Sequence, residues 1–367
     1  MKVIVSGGGT GGHIYPALTI ADNIKKLRPE AEVVFVGTRE GLESGIIPRY
    51  GYRMEYIEVA GFRRSLSLDT LRSVCKLFKG LAGARAVLER ERPDLVVGTG
   101  GYVCGPVVFL AALRKIPCCI QEQNALPGVT NRILAHFADR VFLGYREAAK
   151  YFGSGAKLSY TGNPIRGEIL AYEKKAAISE LGLDPEKKTI LVFGGSRGAR
   201  SINNAMVELS RALSGRHDVQ VLHATGEVNY EQHMQKLGAA GKLGANIIVR
   251  PYLHNMPAAL AAADLAVCRA GAIGLAELTA KGIPAILIPY PYATANHQEF
   301  NARAVEAKGG ARVILDRDMT GEKLLEATED LLLNSGRLKE MAEGSRSLGR
   351  PGAAEEIARA ALALITE

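Results

Sequence analysis

Five glycines fill six consecutive positions near the amino terminus, Gly7, Gly8, Gly9, Gly11 and Gly12, with Thr10 between them and His13 directly after. Glycine lets a backbone approach a ligand closely and take up positive φ, and unpaired N–H groups at a following helix start attract an anion. The chemistry on offer is phosphate binding, with an imidazole at the mouth of the loop. Two further segments repeat the composition: GTGGYVCGP at 98–106, with Gly100, Gly101 and Tyr102, and GGSRGARS at 194–201, where Ser196, Arg197 and Arg200 add a hydroxyl and two charges. Three such loops suggest more than one anionic group. In CRAGAIG, Ala272 and Ile273 stand at a helix start where backbone N–H groups can meet phosphate, and Glu277 follows where a carboxylate can accept both hydroxyls of a ribose. That carboxylate could equally be a solvated helix residue.

Each loop needs an element on either side to hold it. VIVSGGGTGGHIYPALTIADNI reads strand, loop and helix, with the helix beginning near Pro16. Strands are readable at 32–38, 52–59, 94–101, 117–124, 140–145 and 157–160, mostly separated by helical stretches, which argues for right-handed crossovers and a parallel sheet. TGNPIRGE at 161–168 breaks the pattern and reads as a linker. Beyond it the opening grammar recurs, with strands at 219–226, 246–253, 264–271, 284–290 and 311–316. The expected fold class is α/β, two Rossmann-like domains with parallel sheets facing across a cleft, spanning 1–163 and 164–349. An Ala-rich helix at 350–367 is expected to cross back to the first domain.

Composition sets outer bounds. The 367 residues, 47% apolar and 23% charged, are enough for two globular domains. Five cysteines without CxxC spacing suggest neither a zinc cage nor a disulfide framework, and fit a reducing cytoplasm. The first strand begins at Lys2, so no signal peptide is expected, and no apolar run approaches the roughly 18 residues of a membrane span. A net charge of +8 favours anionic partners without choosing among nucleic acid, membrane surface and phosphorylated metabolites.

Two alternative chemistries have a partial spelling. Gly7, Gly9 and Gly12 satisfy GxGxxG, but a dinucleotide site wants an acid closing the second strand, where Gly37, Thr38 and Arg39 stand and Glu40 comes one step late. Asp316 and Asp318 have the spacing of a metal-binding pair, yet they precede a helix start where such residues ordinarily cap. No metal or other cofactor is expected.

Taken together, GGTGGH at 8–13, EQN at 122–124, GNPIR at 162–166, GGSRGAR at 194–200, RAGA with Glu277, and HQEFNA at 297–302 resemble the MurG family of glycosyltransferases, in the family's order and over the whole chain. The resemblance implies a GT-B fold. It also implies inverting transfer of N-acetylglucosamine from UDP-N-acetylglucosamine to the muramyl sugar of undecaprenyl-pyrophosphoryl-muramyl-pentapeptide in peptidoglycan synthesis, with no nucleic acid partner. An isomerase of the UDP-N-acetylglucosamine 2-epimerase type is the alternative that uses a similar pair of domains.

By position, the resemblance places Glu277 at the ribose, Ser196 with Ala272 and Ile273 at the diphosphate, Leu253 and Arg166 at the uracil, and His297 and Gln298 at the sugar. Thr10, Gly11, Gly12 and Asn124 join the donor side; Gly8, Gly9, Gly100, Gly101 and Tyr102 are expected at the acceptor diphosphate. An inverting transfer needs a general base. His13 is the candidate, because imidazole titrates near neutrality, with Glu122 as partner or rival. One departure from the family pattern is Gly274, where many relatives carry Thr or Ser; losing one such hydroxyl contact weakens donor binding by about 0.5–1.5 kcal/mol.

One signal remains. In GFRRSLSLDTLRSVCKLFKGLAGAR, 61–85, Leu71, Val74, Phe78 and Leu81 share a helical stripe, flanked by Arg72, Lys76 and Lys79 and preceded by Arg63 and Arg64. The stripe could pack on the sheet. With a lipid-linked acceptor implied, it is expected instead to dock on an anionic leaflet, placing the protein peripherally at the cytoplasmic face of the plasma membrane.

Overall fold

The structure, a computed structural model, describes residues 1–59, 68–195, 197–239 and 241–365, and only the backbone between 68 and 77. Ser196, Arg63 and Arg64, and the side chains of Leu71, Arg72, Val74 and Lys76, therefore lie outside the described residues.

The chain forms two compact units, Met1–Ile165 with Pro351–Glu367, and Arg166–Arg350. In the first, β1 (Lys2–Gly7), β2 (Glu32–Gly37), β3 (Arg53–Tyr56), β4 (Leu95–Gly100), β5 (Cys118–Glu122), β6 (Arg140–Leu143) and β7 (Leu158–Tyr160) form one sheet in the order β3-β2-β1-β4-β5-β6-β7. Every pairing is parallel. In the second, β8 (Lys188–Phe193), β9 (Val219–Ala224), β10 (Ile247–Arg250), β11 (Leu265–Cys268), β12 (Ala285–Leu287) and β13 (Ala311–Val313) take the order β10-β9-β8-β11-β12-β13, again all parallel. The strands sit where the sequence places them but are shorter, because the last residues of each reading turn into the loops that carry the chemistry.

Both sheets are covered on both faces, as a parallel sheet must be. Successive residues alternate sides: Val3, Val5, Leu95 and Val97 join a core with Ile14 and Leu18 of α1 (Gly11–Leu27). Ile4, Val34, Val96 and Ile120 join another. That second face is roofed by α3 (Leu68–Glu91), α4 (Cys104–Leu113) and α5 (Val129–Leu134), while α2 (Glu43–Ile46) follows β2. Of α3, Ala84, Val87 and Leu88 enter the core, whereas Phe78 is 66% exposed and Leu81 half-buried.

The terminal helix, Ala353–Ala363, returns to the first unit. Its Ile357, Ala358 and Ala361 lie in the same core as Ile14, Leu18 and Ala21. Small residues permit that close approach to α1. The segment 161–168 is less of a linker than its composition suggests. Residues 161–165 are all buried, and Asn163 accepts from Gln121 Nε2 (2.9 Å) and donates to the Gln123 carbonyl (2.9 Å). The change of unit falls after Ile165.

Candidate active site

Helix α1 starts at Gly11 with Thr10 as its N-cap, not near Pro16, which lies inside the helix. The N–H groups of His13 and Ile14 both reach back to the Thr10 carbonyl at 3.1 Å, so the glycines belong to the helix's first turn. Proline removes one interior donor there without ending the helix, and the exposed Gly12 carbonyl opposite it can be hydrated.

This early start puts the imidazole of His13 back over the loop. Its Nδ1 lies 2.9 Å from the Gly8 carbonyl and 3.3 Å from Thr10 Oγ1. A carbonyl only accepts, so the neutral ring carries its proton on Nδ1 and its lone pair on Nε2. Thr99 Oγ1 donates to the His13 carbonyl at 2.9 Å. Gly100 and Gly101, with φ of 100° and 81°, pass close beside the ring. A Cβ on Gly100 would meet His13 Cδ2 at 3.1 Å, and one on Gly101 would meet the Gly8 carbonyl oxygen at 2.5 Å. The glycines at 98–101 are thus needed for the imidazole's room, and Tyr102 flanks Gly9 from the same turn.

Beneath the loop lies a carboxylate that sequence reasoning missed. Glu43, 1% exposed, accepts from the Gly9 N–H (2.9 Å), the Thr38 N–H (3.0 Å) and the Thr38 hydroxyl (2.8 Å). Cβ atoms on Gly8, Gly37 and Gly41 would come within 2.5, 2.6 and 2.2 Å of it, so three glycines leave its space. Burial pushes its carboxyl up, but the N–H donors of Gly9 and Thr38 outweigh that and hold it below the ordinary range. Two expectations change. The Gly9 N–H is engaged by Glu43 and is not presented to an acceptor diphosphate. The acid after the second strand, sought as a dinucleotide signature, instead turns inward at position 43. The stretch Gly37-Thr38-x-x-Gly41-x-Glu43 was the legible signal.

Glu122 also needs correction as a candidate base. It is 1% exposed, and Oε1 accepts from the Asn124 N–H (2.9 Å) and Asn124 Nδ2 (3.2 Å). Oε2 accepts from the Gly128 N–H (3.0 Å) and Asn131 Nδ2 (2.9 Å). A carboxylate saturated by four donors organises the loop after β5, and through it Asn124; it is not placed to take a proton from a substrate hydroxyl.

In the second unit the expected donor residues gather at the carboxyl ends of the strands, as ligand sites of parallel sheets do. Gly271 caps the helix Ala272–Lys281, leaving the N–H groups of Ala272 and Ile273 in its first turn. Glu277, 8% exposed on that helix, accepts from Arg166 Nη2 at 3.2 Å. Burial raises its carboxyl above the ordinary range against the pull of Arg166, and Glu168 adds to the rise. A Cβ on Gly274 would meet nothing within 4 Å, so the departure from the family pattern is not forced by space. Leu253 packs in the core of this unit, leaving its backbone for any contact with a base.

Gln298 is partly engaged already. Its Oε1 accepts from the N–H groups of Ala270 (3.2 Å) and Tyr290 (3.0 Å), so its amide nitrogen is the group to offer a sugar. His297 holds its proton on Nδ1 against the Thr294 carbonyl (2.9 Å). The preceding Ala295 and Asn296 are left-handed, φ 53° and 57°, a strained approach of the kind found beside ligand sites. In the 194–201 loop, Gly198 (φ 71°) crosses Thr225 so closely that a Cβ would sit 1.8 Å from its carbonyl oxygen.

Arg269 ties the surrounding loops together. It donates to Asp316, to the carbonyls of Ile288 (3.1 Å) and Pro289 (3.2 Å), and to Ser201 Oγ (3.0 Å). Asp316 therefore neutralises a cation of the chain itself, which argues against a metal pair with Asp318. Among the described residues no group of three or more His, Cys, Asp or Glu is arranged to hold a metal.

Two parallel-sheet units, with glycine-rich loops at their strand ends, a buried carboxylate on a helix start and an imidazole poised as acceptor, define a glycosyltransferase of the GT-B class. The glycosyltransferase family 28 N-terminal domain matches residues 3–143 and the family 28 C-terminal domain residues 189–357. Proteins named UDP-N-acetylglucosamine--N-acetylmuramyl-(pentapeptide) pyrophosphoryl-undecaprenol N-acetylglucosamine transferase are similar throughout. That of Desulfitobacterium hafniense is 50% identical over 99% of each chain, and that of Bacillus subtilis 45% over 97% of this chain and 98% of its own. The crystal structure of Acinetobacter baumannii MurG is similar with a TM-score of 0.80 and 26% identity, covering 99% of each chain. The chain belongs to the MurG family of N-acetylglucosaminyltransferases. The UDP-GlcNAc 2-epimerase from Neisseria meningitidis, at TM-score 0.70 and 15% identity over 99% of this chain and all of its own, shares the fold alone.

Proposed function

We propose that the chain moves N-acetylglucosamine from UDP-N-acetylglucosamine to the 4-hydroxyl of the muramyl sugar in undecaprenyl-pyrophosphoryl-muramyl-pentapeptide, with inversion. The observation that carries the mechanism is the Nδ1 contact of His13 with the Gly8 carbonyl, which leaves the Nε2 lone pair as the basic site. In the step, the hydroxyl proton passes to Nε2 while its oxygen attacks the anomeric carbon. The bond from that carbon to the diphosphate breaks, and its electron pair leaves with UDP. The first unit supplies the acceptor loops, Gly8 and Gly100 to Tyr102, and Thr10 to Gly12 with Asn124 toward the donor. The second holds the nucleotide, with Glu277 at the ribose, Arg166 and the Leu253 backbone at the base, Ser196 and the N–H groups of Ala272 and Ile273 at the diphosphate, and His297 and Gln298 at the sugar. Helix N-termini stabilise the leaving UDP without a metal.

A lipid-linked acceptor implies a surface for the leaflet. On the helical layer α3, α4 and α5, the apolar side chains of Phe78, Leu113, Val129, Ile133 and Phe137 are exposed, and Lys79, Lys115 and Arg132 are exposed beside them in sequence. Phe137 packs edge-on to Phe109, linking the region after α5 to α4. This supports peripheral attachment to an anionic cytoplasmic leaflet, with Lys76, Leu71, Val74 and Leu81 of α3 contributing. Among the described residues no helix is long and apolar enough to cross a membrane.

The deciding experiment is UDP release from UDP-N-acetylglucosamine with and without the muramyl-pyrophosphoryl lipid, in the presence of EDTA. Release that depends on acceptor and survives the chelator is expected. Acceptor-free conversion of the sugar nucleotide would assign the isomerase reading instead.

A further inference from the structure

The peptide group joining Gly8 to Gly9 is bonded at both ends. Its carbonyl accepts from His13 Nδ1–H at 2.9 Å, and its N–H donates to Glu43 Oε2 at 2.9 Å. In a trans amide these two groups point in opposite directions, so Glu43 and His13 stand on either side of one polarisable unit. Glu43 takes part in none of the ion pairs among the described residues, and its balance comes from N–H and O–H donors alone. A negative charge at an amide N–H draws electron density onto the amide oxygen, and bonds in such a chain strengthen one another by perhaps 10–30% each. Glu43 thus stands to His13 as the orienting acid of a catalytic triad stands to its histidine, with a peptide group interposed.

We propose that Glu43 is a positioning residue for proton abstraction, holding His13 through the Gly8–Gly9 peptide with its proton on Nδ1 and making Nε2 the stronger base. This rests on the reading of His13 as the base. Three other observations narrow it. The carboxylate is buried, although a surface acid at the same height could satisfy a loop N–H. Gly8, Gly37 and Gly41 each leave space that it alone fills. Gly100 and Gly101 press on the other side of the ring, so the imidazole has little freedom to turn from the Gly8 carbonyl. The titratable groups facing His13 are Glu43 from α2, Tyr102 from the turn into α4, and Glu122 from β5, which reaches it only through Asn131.

The test uses the full chain with 15N-labelled histidine. In the wild type, the His13 ring nitrogens should report a neutral form protonated on Nδ1; a proton on Nε2 overturns the proposal without any variant being needed. Glu43→Gln keeps the shape but turns an amide NH2 toward either the Gly9 or the Thr38 N–H. It should lower the midpoint of the His13 titration and the acid limb of kcat/KM together by about 0.5–1 unit, and lower kcat about tenfold near pH 7, with donor KM within twofold. Glu43→Asp retains the charge and should hold the acid limb closer to the wild type. A loss of kcat in Glu43→Gln with the acid limb unmoved would make Glu43 a structural acid only. His13→Ala separates the two readings. A loss below tenfold ends the role of His13 as base and the proposal with it, whereas a loss of about 10²–10⁴ beside an unmoved limb in Glu43→Gln ends the role of Glu43 alone.

Discussion

Arg166 and Glu277 meet at 3.2 Å across 111 positions of sequence, pairing the first residue of the second unit with a carboxylate in its interior. The pair holds a buried charge ready for a ligand, at some cost to the fold.

Glu277→Gln measures both sides of that arrangement. The carboxyl is raised above its ordinary range, chiefly by burial, so the folded state binds its proton more tightly than the unfolded chain does. What this group adds to stability is present below the ordinary carboxylate range and is lost as pH rises through the raised value. At pH 7 the ionised form is therefore a liability to the empty protein. The variant should melt no lower than wild type at pH 7, while donor KM rises about 10- to 100-fold through loss of charge-assisted ribose contacts. Calorimetry and donor saturation curves check the two halves.

Gly274→Thr should improve the donor site. The position is helical, lacks positive φ and has open space, so a side chain meets no obstacle. Glycine carries the larger penalty inside a helix, and the added hydroxyl can reach a phosphate oxygen. Donor KM should fall about 2- to 10-fold with no loss of melting temperature; an unchanged KM would place the diphosphate away from this turn.

Acid should loosen the second unit before it touches the first step of chemistry. Burial, with the neighbouring His233, lowers His223 from 6.5 to about 3, and burial with Lys236 lowers His233 to about 4; the rings meet edge-on at 4.8 Å. Both are neutral in the folded state, so the unfolded chain takes up protons first as pH drops below 6.5. Their contribution is complete above that value and is lost progressively below it. His223 bonds Asn203, which also holds the Thr225 carbonyl beside Gly198. Urea unfolding at pH 7 and pH 5 should give a lower midpoint at pH 5, and His223→Gln, which can still donate to Asn203, should narrow that difference.

Replacing Ile133 and Phe137 together by Ser should release the protein from membranes. Both are exposed on or just after α5 and add little to the core, so stability and turnover with a water-soluble acceptor analogue should be unchanged. In vesicle flotation at low salt, wild type should rise with anionic liposomes and the double variant should stay in the soluble fraction. Salt should weaken wild-type attachment, since each nearby Lys or Arg contributes about 1 kcal/mol.

Much of this was legible from sequence because it is local. Alternating apolar residues in VIVSG and EVVFVG, glycines after each strand and helical spacing beyond them specify strand, turn and helix from neighbours a few positions apart. The two sheets and the His13, Ala272 and Glu277 loops follow from that repetition. What the sequence could not assign were groups whose role depends on which distant donors surround them. Glu43 and Glu122 look alike as letters; folding places four N–H donors on one and puts the other beneath a peptide 34 residues away. Asn163, read as part of a linker, is buried because β5 supplies its partners across 40 and 42 positions. Local propensity sets the elements, whereas the protonation and reach of a buried polar group are set by the donors that tertiary packing brings to it.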